Sequence, residues 1–261
     1  MLKRFTATHF IKVMTTGRTS PLLCGCSDQH GAPSGEFVVK LLGRPDTGGC
    51  GALFEIVASR LANHFGILVP EAAAVDVTPD FARLLSDSLP ALVPAINASV
   101  GLAFATRVIS PMSTWFVGRT IPEVMFAHAT KIFAFDSLIQ NVDRRTEKPN
   151  LFTQGDDLYI YDHENSFSFL FALSVGSKPW ILEQDTYLDN HPFYSRLKSK
   201  KLELGDFRER LAMLKDDALL KIRRDIPHEW IHEHLNRIEA HLTEVREHAD
   251  EFVEQVIRRL V

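Results

Sequence analysis

QNVDRRTEKPNLF, residues 140–152, stands between a strongly apolar stretch of helical character and an apolar extended run. It is made of charged residues and turn formers until it re-enters hydrophobic sequence at Asn150, Leu151 and Phe152. A loop of this kind is either solvated filler or a platform for side-chain chemistry, since reactive groups concentrate on loops carried by rigid elements. The residues downstream bear on the choice. In NLFTQGDDLYIYDHENSF two strand-like apolar runs flank QGDD, a turn-forming cluster with Gly155 inside it, and the pattern predicts a hairpin. With QGDD as a four-residue loop, Thr153 faces Leu158 and Asn150 faces Tyr161, which brings Asn150 and Asp162 within one register step. Asp143 lies just upstream. An amide oxygen and a carboxylate are hard ligands suited to Mg²⁺, and a second carboxylate nearby can orient or deprotonate a hydroxyl.

The rest of the chain can support such a site. It has 261 residues, 45% of them hydrophobic, enough for one large domain or two coupled lobes. A formal net charge of -4 gives no basic field for phosphate backbones, so nucleic acid is not an expected direct partner. Three cysteines, Cys24, Cys26 and Cys50, cannot all pair, and MLKRFTATHF lacks the apolar core of a secretory signal, so a reducing cytoplasm is expected. Cys24 and Cys26 could form half of a zinc site, but alternate residues of a strand share a face and no second pair matches them. LPALVPAINASVGLAFATRVI is interrupted by Pro90, Pro94, Asn97 and Arg107 and is a poor membrane span.

Strand signals dominate the first part. EFVVKLLG is bounded by glycine-rich turns, and GALFEIVASRLANHFG follows as an amphipathic helix that Gly66 is placed to end. ILVPEAAAVDV and GLAFATRVI are further strands, and TPDFARLLSD is a short capped helix. Beyond SPMSTW the pattern changes. IPEVMFAHATKIFAFDSLIQ is apolar nearly all round a helical wheel, predicting a buried helix with His128 and Asp136 as core polar groups. The C-terminal third is helical with mixed surface charge. The expected organisation is α+β: a strand-rich region over residues 1–110 and a helix-rich one over 111–261.

NVDRRTEKPNLF with YIYDHENSF, preceded by GRTSPLL, EFVVKLL and FEIVASRLANHFGILVP, resembles the HipA-like kinase domain of bacteria. The resemblance spans roughly residues 10 to 170. It implies a two-lobed protein-kinase-like fold that binds ATP and Mg²⁺, with Asp143 as catalytic base and Asn150 and Asp162 as metal ligands. Lys40 would hold the nucleotide phosphates, paired with Glu55 of the following helix, and Gly17, Arg18, Thr19 and Ser20 would form the loop over the phosphates. Thr19 or Ser20 would be a place for self-phosphorylation. Most kinase catalytic loops carry the metal asparagine five residues after the base. Here that position is Lys148, and the asparagine comes seven after.

By analogy with HipA the phosphate acceptor would be a protein serine or threonine, and a small antitoxin-like companion protein is an expected partner. Two other functions fit the same residues: a small-molecule kinase, and a degenerate kinase fold that binds nucleotide or a partner without transfer. Outside the resemblance, Lys40 alone reads equally as an edge-strand charge, Glu55 as a first-turn helix acid, and Asp143 with Arg144 as solvated loop. HEWIH, residues 228–232, matches the zinc-protease pattern H-E-x-x-H, but Pro227 sets it at a helix start and polar residues follow it.

Overall fold

The computed structural model describes residues 2–14, 20–41, 50–116, 118–172 and 178–261. The chain falls into two compact units, one of Met1–Ile56, Pro70–Ser110 and Asp225–Ile231, the other of Val57–Val69, Pro111–Arg224 and His232–Val261. The second half of the first helix thus belongs with the later sequence, and a short late segment belongs with the strands, an exchange that a single cut at residue 110 does not capture.

The first unit is built on a closed barrel of five strands: β1 (Lys3–Val13), β2 (Leu22–Ser27), β3 (Pro33–Val39), β4 (Ala72–Val77) and β5 (Gly101–Arg107). Their order around the barrel is β1-β2-β3-β5-β4. Closure comes from β1, which runs antiparallel to β2 and parallel to β4. Phe5, Leu22, Phe37, Val39, Val75 and Ala105 belong to its buried core, as do Cys24 and Cys26. Burial pushes the Cys24 thiol up to about 12 and that of Cys26 up to about 11, so both remain protonated and inert. Helix α1 (Gly51–His64) follows the barrel's third strand in sequence, and α2 (Pro79–Ser88) begins as its sequence demands. Thr78 accepts a hydrogen bond from the Phe81 N–H at 3.2 Å, with Pro79 in the first turn. Phe81, Ala82 and Leu85 then pack into the barrel cluster, beside the short α3 (Val93–Ala98).

In the second unit α1 ends at Gly66 in a left-handed conformation, φ +68°. Gly66 N–H donates to the Asn63 carbonyl and Ile67 N–H to that of Ala62, the paired bonds that close a helix on a glycine. Helix α4 (Glu123–Leu138) is buried almost throughout from Ala129 onward, but its first turns are not: Val124 is 60% exposed and His128, expected in the core, is only half-buried. A three-stranded sheet, β6 (Ser113–Thr114), β7 (Leu151–Gln154) and β8 (Asp157–Ile160), carries the hairpin. Helices α5 (Tyr194–Leu197), α6 (Gly205–Ala212), α7 (Asp216–Asp225), α8 (His234–Glu247) and α9 (Ala249–Leu260) complete the helical region. Phe65 stacks on Phe207 with ring centroids 4.4 Å apart, and Phe207 meets Phe252, so the end of α1, α6 and α9 share one aromatic column. No helix of the described residues is long and apolar enough to cross a membrane.

Candidate active site

The hairpin after the QNVDRRTEKPNLF loop forms with Thr153 opposite Leu158 and Leu151 opposite Ile160. Its turn is tighter than the expected four-residue loop. Gln154 pairs with Asp157, leaving Gly155 and Asp156 as the connection, with Gly155 at φ +60° where a two-residue turn needs glycine. The register is unaffected, because the two extra residues form one more pair. Beyond the ladder the Tyr161 N–H still donates to the Asn150 carbonyl at 3.1 Å, so Asn150 and Asp162 come at adjoining levels of the two strands. Both adopt left-handed backbone, φ 49° and 61°, a conformation that asparagine and aspartate tolerate better than other side chains.

The loop itself is held by a group that its sequence disguises. Arg144, in a run of charge that reads as solvated, has a side chain with no exposure at all. Its Nε donates to Asp136 Oδ2 at 2.6 Å, and its Nη1 donates to the carbonyls of Asn150 at 2.8 Å, Pro149 at 3.3 Å and Tyr161 at 3.3 Å. One guanidinium therefore ties the last turn of α4 to the loop and to both ends of the hairpin. Asp136 is equally buried and also accepts from Asn141 Nδ2 at 3.0 Å and lies 3.0 Å from His191 Nε2. Burial pushes the Asp136 carboxyl up, but Arg144 and His191 outweigh it and hold it below the usual carboxylate range. Burial holds the His191 imidazole below its ordinary value, partly opposed by Asp136. His191 Nδ1 accepts the Phe193 N–H at 3.2 Å, which leaves Nε2 as the protonated nitrogen facing the carboxylate.

This frame presents Asp143. Its N–H donates to Asn141 Oδ1 at 3.2 Å, and its side chain is 13% exposed. Asp143 Oδ2 accepts from Lys148 Nζ at 2.5 Å and from Asn165 Nδ2 at 3.2 Å, while Arg145 approaches the other oxygen at 3.4 Å from the exposed side. Lys148 Nζ also lies 3.1 Å from Asp162 Oδ2. The position five residues after Asp143 thus carries an ammonium that bridges the two carboxylates singled out by sequence. Burial pulls the Lys148 ammonium down, but Asp162 and Asp143 together more than offset this and raise it above the ordinary lysine value. Asn165 and the bridging role of Lys148 have no motif of their own.

In the first unit, Lys40 stands one residue past β3, its N–H still bonded to the Phe104 carbonyl at 2.9 Å. Its ammonium pairs with Glu55 on the second turn of α1, and both side chains are largely buried, 16% and 3% exposed. An exposed edge-strand lysine and an unpartnered first-turn acid are both excluded. Ser20 is described, with φ 44°, whereas Gly17, Arg18 and Thr19 lie outside the described residues. The HEWIH stretch forms only a single 3-10 turn, His228–Trp230, after which Ile231 is extended. Its first histidine and its last are therefore not one helical turn apart on a common face, as the zinc-protease pattern requires. Trp230 is instead buried and donates to the Leu102 carbonyl at 3.2 Å.

The HipA-like kinase profile matches residues 7–259, nearly the whole chain. The protein belongs to the HipA-like kinase family. Among solved structures it is similar to the Helicobacter pylori proinflammatory kinase CtkA, with a TM-score of 0.56 at 12% identity, covering 99% of this chain and 98% of that one. That likeness shows the fold, a protein-kinase-like one with a strand-rich N-terminal region and a helical C-terminal region. A MAP kinase from Leishmania major is also matched, at a TM-score of 0.32 and 13% identity, over 98% of this chain and 84% of that one. No curated protein matches the chain.

Membership of this kinase family implies ATP use with a divalent metal. The residues at the hairpin fit such an ion. Asp162 offers a carboxylate and Asn150 an amide, an oxygen donor set of the kind hard cations take. The Asn150 side chain is buried, and among the described residues its Nδ2 has no hydrogen-bond partner, so no hydrogen bond from that nitrogen fixes the amide's orientation.

Proposed function

We propose that this HipA-like kinase is an ATP- and Mg²⁺-dependent enzyme that phosphorylates serine or threonine on a protein. The observation that carries the reading is the convergence, within the second unit, of two mostly buried carboxylates, Asp143 and Asp162, on a loop and hairpin fixed by Arg144. In this reading Asp143 accepts the proton of the attacking hydroxyl. The hydroxyl oxygen bonds to the γ-phosphorus, the bond to the β,γ-bridging oxygen breaks, and ADP leaves with that electron pair. Lys40, held by Glu55, takes the nucleotide phosphates. Asp162 and Asn150 would hold magnesium, which when bound would supply positive charge against the triphosphate. The enzyme acts in the cytoplasm, in keeping with three cysteines that cannot all pair, with a small antitoxin-like companion as its partner by family analogy.

A second reading is a kinase fold that binds nucleotide without transfer, and Lys148 favours it, since its ammonium already occupies the base. Incubation with γ-labelled ATP and Mg²⁺, alone and with cell lysate, separates the two. Label on protein serine or threonine, lost roughly 10²–10⁴-fold in Asp143→Asn, supports the protein kinase. Label on a small metabolite alone moves the acceptor to a small molecule, and nucleotide binding without transfer leaves the binding module.

A further inference from the structure

We propose that the Lys148 ammonium is a resident cation that holds the place of one divalent ion between Asp143 and Asp162. This deepens the kinase reading of the same site and rests on it only for the roles of the two aspartates. Both carboxylates are mostly withdrawn from water, 13% and 14% exposed, and two such charges close together need a compensating cation. Kinase catalytic sites commonly meet that need with two Mg²⁺ ions. Here the compensation is covalently part of the chain. A single nitrogen reaches both carboxylates, at 2.5 and 3.1 Å, and an ammonium has three donors to spend.

The backbone below Lys148 is tied down as a positioned cation requires. Its N–H donates to the Arg145 carbonyl at 3.0 Å, and its own carbonyl accepts from the Arg145 N–H at 3.1 Å. Arg145 itself does not replace it, being 49% exposed and 3.4 Å from Asp143, where solvent screens the interaction. Asn165 donates to the same Asp143 oxygen as Lys148, so that oxygen is already occupied twice. Glu164, with a carboxylate oxygen within 4.8 Å of one of Asp162, adds negative charge beside the triad of two aspartates and one lysine, so a divalent ion can still be drawn to Asp162 with Lys148 in place.

The test uses Mn²⁺ alone on the full-length protein without nucleotide, followed by calorimetry or by the electron spin resonance of free Mn²⁺. Lys148→Met keeps the aliphatic stem and removes the charge. The expected result is a gain of one Mn²⁺ site, at least about tenfold tighter than any in the native protein, since charge-assisted contacts of this kind differ by 1.4 kcal/mol or more. Adding Asp162→Asn should abolish the new site, and Lys148→Arg should bind as the native protein does. Lys148→Leu, which also adds no ligand, serves the same purpose if the methionine variant does not fold. Unchanged Mn²⁺ binding on loss of the ammonium, or equally tight binding at these aspartates in the native protein, would overturn the proposal. Because no nucleotide is present, a failure of phosphotransfer leaves this result intact and readable.

Discussion

Replacing Arg144 by methionine removes the guanidinium while keeping much of its length, and the structure sets what should follow. Arg144 and Asp136 form an ion pair with neither side chain exposed. Removing one partner of a buried pair costs about 3–5 kcal/mol, because the remaining charge is left without its counterpart. For a chain of this size that is a fall in melting temperature of roughly 10 °C, at ~2–4 °C per kcal/mol. The cost should depend on pH with a definite sign. In the native protein the His191 imidazole sits below its ordinary 6.5, so its contribution is complete above that pH and is lost as pH falls. Without Arg144 a repulsive neighbour is gone while Asp136 still faces His191, so the imidazole moves up from its native value. The variant's histidine then takes up its proton more readily than the native one as pH falls, which offsets part of the lost pair on the acid side. The penalty of the substitution should therefore be smaller at pH 5.5 than at pH 8, the comparison with native protein cancelling the other histidines. Urea denaturation of both proteins at the two pH values measures it. A cost under about 1 kcal/mol, or one equal at both pH values, refutes the assignment of Arg144 as the strut of the loop.

Gly66→Ala should cost about 1 kcal/mol, the penalty of a side chain at φ +68°, whereas Gly205→Ala, with open space around it and no positive φ, should be neutral; thermal melts of the two compare them directly. Burial raises Asp185 to about 6, partly countered by Arg259, so its stabilising contribution is present at pH 4 and lost as pH rises through that value. Asp185→Asn, which cannot ionise, should therefore be more stable than the native protein at pH 8 and indistinguishable from it at pH 4, as chemical denaturation will show. Lys40→Met should weaken ATP affinity by about tenfold to a hundredfold, the worth of a charged hydrogen bond, while the exposed Lys12→Met should not; fluorescent-nucleotide titration with equal effects would leave Lys40 with its structural pairing to Glu55 alone.

The hairpin register was legible because a period of two and a glycine turn leave few alternatives, and adding or removing one ladder pair at the tip does not alter it. The capped start of α2 and the glycine end of α1 were legible for the same reason, being written in neighbouring residues. Closure of the barrel was not, since it depends on a parallel pairing of β1 with β4 across most of the first unit, and the exposure along β1 alternates irregularly. Arg144 was hidden by its company. The signal that could have exposed it lies in α4, where Asp136 ends an otherwise apolar run and, once buried, requires a cation that only the following loop supplies nearby. His191 carries no such signal, because nothing in its own neighbourhood points to Asp136. Lys148 stood out as a departure in spacing, but the contact with both carboxylates follows only from the folded loop.

The left-handed backbone at Asn150 and Asp162 narrows the choice of residue at these places from two sides. Chemistry asks for an oxygen donor, and conformation asks for asparagine, aspartate or glycine. Only asparagine and aspartate satisfy both. Backbone conformation alone would let the two residues change places, yet only at position 162 does a carboxylate meet the Lys148 ammonium, 3.1 Å away, while position 150 is buried. The strand on which the hairpin carries its charge is thus set by the cation opposite it and not by the turn of the backbone.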